Sequence, residues 1–121
     1  MTITEPNVGA AGFVAALTAS GLCASERIAE GRTFAVFLYT IEVGSRAGEE
    51  IEVGLEIPGD WPMSPPSGPH LRPSLDHPHG AVHPSPLGPD WAYWSRPAYQ
   101  WPADRTVRGY LRHLRTLVSQ I

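Results

Sequence analysis

Residues Ile57–Pro86, IPGDWPMSPPSGPHLRPSLDHPHGAVHPSP, divide the chain and decide how everything on either side is read. The stretch holds nine of the 13 prolines and four of the 5 histidines. Proline locks φ and removes a backbone donor, so a run this dense reads as a long, restricted, irregular segment. In a small domain such a segment is usually functional, and the candidate site is placed here.

Outward toward the N-terminus, Glu50–Ile57 alternates cleanly. Ile51, Val53, Leu55 and Ile57 share one face; Glu50, Glu52 and Glu56 take the other. Before it, Thr33–Val43 is β-branched and aromatic on both faces, as in a strand covered on both sides for much of its length. Gly44–Gly48 joins the two as a polar turn, which predicts a hairpin with one face on a core and one in water. Leu22–Gly31 is a short connector whose SERIAEG portion reads as strand or turn. Asn7–Ser20 predicts a helix, with Asn7 as cap, Ala10, Phe13, Val14 and Leu17 on one face and Gly21 as the stop.

Outward toward the C-terminus, Pro89–Pro102 packs three Trp and two Tyr into aromatic turns. Asp104–Ile121 then predicts an amphipathic helix capped by Asp104. Val107, Tyr110, Leu111, Leu114, Leu117, Val118 and Ile121 form its inner face, and Arg105, Arg108, Arg112 and Arg115 a solvated stripe. The whole chain, residues 1–121, is expected to be one α+β domain with an antiparallel sheet, large enough to bury about two-thirds of its surface.

Composition narrows the function. Net charge is −3 and apolar content 42%, against a general nucleic-acid binder and against disorder. The charge is uneven, acidic before residue 60 and mildly basic after it, and all 9 basic residues are Arg. Cys23 is the sole cysteine, which excludes an internal disulfide and a Cys-based zinc knuckle. A lone cysteine is expected to be a small buried apolar group. With no basic leader and no apolar run of the roughly 18 residues a membrane span needs, a cytoplasmic protein without membrane contact is expected.

His70, His77, His79 and His83 follow an H-x6-H-x-H-x3-H pattern. Neutral imidazole is the commonest metal ligand, Pro78 fixes the backbone between two of the rings, and Asp76 and Asp90 could complete a site. The spacing fits no zinc class closely, and rings that simply hold the loop through hydrogen bonds account for the pattern as well. A small metal-dependent enzyme is thus the alternative function. Ser85, between Pro84 and Pro86 and close to His83, lacks the surroundings of a nucleophile elbow, although acyl chemistry at Ser85 or His83 is a further option. Trp91, Tyr93, Trp94, Tyr99 and Trp101 are either a stacking platform or cement between this segment and the sheet, cement being preferred.

The order strand to Ile57, PGDWPMSPP turn, then HLRPSLDHPHG resembles the central signature of the ubiquitin-conjugating enzyme superfamily, in its divergent bacterial branch. Trp61, Pro62, Pro65 and Pro66 match that family's aromatic-Pro-x-x-Pro-Pro turn, with Trp for the usual Tyr. His77 and Pro78 match its His-Pro-Asn tripeptide, with His79 in the place of Asn. The resemblance implies an N-terminal helix, an antiparallel β-meander, a proline-rich active-site-equivalent segment and a C-terminal helix. It also implies a ubiquitin-like protein or an activating-enzyme-like protein as partner, and no cofactor. The thioester cysteine would fall near Leu87, yet Gly80–Asp90 contains no cysteine. Since the thiolate is what carries the acyl group in that family, the expectation is a binding or scaffold protein without thioester activity at the usual position. His77, Pro78, His79, His83 and Ser85 then form an active-site-equivalent loop with no catalytic residue assigned.

Overall fold

The computed structural model describes residues 8–75, 80, 82–95 and 106–121. In chain order they form α1 (Gly9–Ala19), β1 (Ala24–Ala29), β2 (Arg32–Thr40), β3 (Glu50–Glu56), β4 (His70–Arg72), β5 (Val82–Ser85), β6 (Gly88–Trp94) and α2 (Val107–Val118). The strands make one six-stranded sheet, ordered β1-β2-β3-β4-β6-β5, and every neighbouring pair is antiparallel. The domain is α+β.

Both helices lie on one face of the sheet. Phe13 and Leu17 of α1, and Val107, Tyr110, Leu114, Leu117 and Val118 of α2, share a core with Ala35, Phe37 and Tyr39 of β2 and with Ile51, Val53 and Leu55 of β3. The alternation in β2 and β3 aims these side chains inward, since successive residues of a strand point to opposite faces. The β2–β3 register, from Phe34↔Glu56 to Thr40↔Glu50, brings them side by side.

The ends of α1 show which local signals acted. Val8 is the N-cap and supplies no side-chain hydrogen bond, while Asn7, the expected cap, lies outside the described residues. At the other end Gly21, at φ 87°, follows the C-cap Ser20. Its N–H bonds Thr18 O and that of Leu22 bonds Leu17 O, the paired bonds of a Schellman stop. Thr106 caps α2 by accepting a hydrogen bond from the Gly109 N–H at 3.1 Å; Asp104, expected in that role, lies outside the described residues. The α2 face bearing Arg108, Arg112 and Arg115 is exposed, and Arg115 pairs with Glu42 at 2.8 Å.

The strand content exceeds the expectation. The SERIAEG connector contributes β1, turned into β2 by Glu30 and Gly31 at φ 51° and 72°, the two positive-φ positions of a tight hairpin. The proline-rich segment contains two strands, β4 and β5, and the aromatic turns begin as a third, β6. Proline does not forbid this, because Pro84 lies on β5, the outermost strand, where a missing N–H costs no interior ladder bond. The outer face of the β2–β3 hairpin is also not all in water. Phe34, Leu87 and Trp91 form a second buried cluster there, with Val36 packed against it.

Candidate functional site on the outer face of the sheet

Gly54 opens the site. It faces outward from β3, and a Cβ there would collide with Leu87 Cδ1. The missing side chain lets the turn between β5 and β6 fold back across the sheet and seat Leu87, 2% exposed, against Phe34 and Trp91. Arg27 of β1 fastens the turn by donating a hydrogen bond to Leu87 O at 2.6 Å. The position where a thioester cysteine was expected is therefore an apolar plug.

Beside the plug lies His70, 1% exposed on β4. Its ring stacks on Tyr93 at 4.6 Å and meets Phe34 edge-on at 5.0 Å. Nδ1 lies 2.7 Å from Ser85 Oγ, which also accepts the Leu87 N–H at 3.1 Å. Nε2 is buried with no hydrogen-bond partner among the described residues. Burial pushes the His70 pKa down to about 4, helped by the Arg32 cation and opposed by the Glu56 carboxylate, so the ring is neutral at pH 7. Arg32 and Glu56 form an ion pair at 2.6 Å, which holds Glu56 below the usual carboxylate range.

Among the described residues, His70 and His83 do not converge as a metal site needs. His70 and His83 are both register partners of Tyr93, one on either side, with ring separations to Tyr93 of 4.6 and 6.0 Å. The tyrosine ring stands between them. No cluster of three His, Cys, Asp or Glu suited to a metal ion occurs among the described residues; Asp76, His77, Pro78 and His79 lie outside them. Asp90 instead lines a cleft of about 510 Å³ with Glu50, Glu52, Arg72 and Pro73.

The motif turn is built as a brace. Trp61 is buried and meets Phe13 edge-on at 5.1 Å, and its carbonyl accepts the Gly9 N–H at 3.0 Å. Pro66 is buried, Pro65 exposed and Pro62 between the two; the Trp61–Pro62 bond is cis. Met63, at the tip, is 64% exposed, and Val8, one residue from the Gly9 anchor, 58%. The aromatics of β6 act as cement: Trp91 and Trp94 are buried, and Trp94 Nε1 donates to Leu75 O at 2.8 Å. Tyr99 and Trp101 lie outside the described residues. Cys23 corrects an expectation, being exposed beside a cleft shared with Leu38, Tyr39 and Glu42.

In the chain Ser85 lies two residues from His83. The structure gives it His70, 15 residues away, because β6 pairs with both β4 and β5. No short motif carries that signal. No family model, curated protein or solved structure matches this chain.

Proposed function

We propose that the chain is a ubiquitin-conjugating-enzyme-like domain that has no thioester activity at the usual position. It serves as a binding or scaffold partner in a bacterial ubiquitin-like modification system, in the cytoplasm and without contact to membrane or nucleic acid. The observation that carries this is Leu87, 2% exposed in an apolar cluster where the family resemblance calls for a reactive thiol. A helix, antiparallel strands, a Trp-Pro-x-x-Pro-Pro turn and a closing helix, in that order, support it. No helix is long and apolar enough to cross a membrane among the described residues.

The contact surface is the motif turn, where Met63 and Val8 present apolar side chains on a backbone held rigid by the Gly9–Trp61 bond. Few interface residues carry most of the affinity, and an exposed apolar tip on a fixed turn is suited to be one. The test is calorimetric titration with a bacterial ubiquitin-like modifier and with an activating-enzyme-like protein, with non-reducing gels in parallel. Binding to one of them is expected without a reducible adduct, and Met63→Glu should weaken it about tenfold, on the order of 1.4 kcal/mol. A thiol-labile adduct on Cys23, or no binding to either protein, would overturn the assignment.

A further inference from the structure

The geometry points to Ser85 as an acyl-accepting nucleophile with His70 as its general base, acting on activated acyl donors such as thioesters and aryl esters. Ser85 Oγ stands 2.7 Å from His70 Nδ1, inside the range for direct proton transfer. One lone pair of Oγ is occupied by the Leu87 N–H, and this fixes where the hydroxyl sits relative to the imidazole. With the ring proton on Nε2, the serine O–H donates to Nδ1. Tyr93 and Phe34 hold the ring plane from two sides, so the pair is preorganised by packing. Ser85 is half-buried on the wall of a cleft of about 400 Å³ that it shares with Ser74, His83, Pro84, Pro89 and Trp91.

The donor class follows from the base. A buried imidazole with no carboxylate on Nε2 among the described residues is a weak base, and a weak base suffices only where the leaving group is good. In the step, Oγ attacks the acyl carbon and an oxygen–carbon bond forms while the Oγ proton passes to Nδ1. The carbon–sulfur bond of a thioester then breaks, and the thiolate, ordinarily of pKa about 8.5, takes the proton from the imidazolium. The products are an ester on Ser85 and a free thiol, with His70 neutral again. The pairing stands on the Ser85–His70 geometry alone and holds or fails independently of the partner proposal.

The test uses the full chain, carrying Cys23→Ser to remove the competing thiol, mixed with p-nitrophenyl acetate. Intact mass and peptide mapping should show one acetyl group per chain, on Ser85. Ser85→Ala should abolish it, and His70→Gln should slow it about 100-fold or more. Circular dichroism shows whether each variant is folded. If His70→Gln does not fold, the pH profile decides: acetylation should rise through a midpoint near the His70 value of about 4 and stay level to pH 7. A hydrogen bond that merely pins β5 to β4 gives no Ser85 ester. Equal labelling of Ser85→Ala, or a rate that climbs with hydroxide without a plateau, overturns the proposal.

Discussion

His70 is the residue whose environment departs furthest from its sequence neighbourhood. Four histidines in a proline-rich run suggest a shared task, yet His70 is a core side chain between Phe34 and Tyr93. That placement has a pH signature. An unfolded histidine titrates near 6.5 and the buried one at about 4, so between these values the unfolded chain binds more protons and stability rises with pH. The contribution is complete above about pH 6.5 and is lost as pH falls toward 4, with an upper bound of about 3 kcal/mol. Glu56, held low by Arg32, loses its contribution at the acid end of the range, below the usual carboxylate value. Urea midpoints should therefore drop already between pH 7 and pH 5, and His70→Gln should flatten that interval. Identical midpoints at pH 5 and 7 in the native chain would contradict the burial of a neutral ring. Tyr39, whose burial raises its pKa to about 12, stays protonated throughout.

Among the elements, those decided by local chemistry were the readable ones. The α1 stop at Gly21 and the β2–β3 hairpin follow from a glycine at positive φ and from period-two alternation. The α2 inner face follows from period 3.6. The strands β4 and β5 were not legible, because three or four residues carry no period, and β6, seven residues of mixed Gly, Pro and aromatics, shows no clean alternation; in each the pairing partner decides the state. The β1–β2 turn offers a direct check. Glu30 occupies a position, φ 51°, that Asn adopts with less steric cost. Glu30→Asn should stabilise the fold by about 0.5 kcal/mol, read as a rise in the urea midpoint at unchanged slope. A loss of stability would mean that the Glu30 side chain has a compensating role.

At the scale of the whole molecule, the sheet is packed on two sides by different means. Helices cover one face with a continuous apolar core, and the turn between β5 and β6 covers part of the other through Leu87 and Trp91. Gly54 is the hinge of that second packing, since any Cβ there meets Leu87. Gly54→Ala should cost about 1–3 kcal/mol by overpacking and change the Trp91 environment seen in near-ultraviolet circular dichroism. Leu87→Ala should cost about 2–5 kcal/mol by leaving a cavity. The double variant should be less destabilised than the two costs added, because each change relieves the other. Strict additivity in chemical denaturation would show that the turn does not rest on Gly54.

By itself the sequence determined the α+β class, the two helices with their buried faces, the central hairpin and the absence of a thiol from Gly80–Asp90. These rest on periodicity and composition, which act within a few residues of chain. Only the tertiary structure decided that Leu87 fills that place, that Tyr93 separates His70 from His83, and that Ser85 faces His70. Each depends on which strands become neighbours, and that is decided by packing across the whole sheet and not by any local signal, while the gap at Gly54 leaves the room that Leu87 occupies.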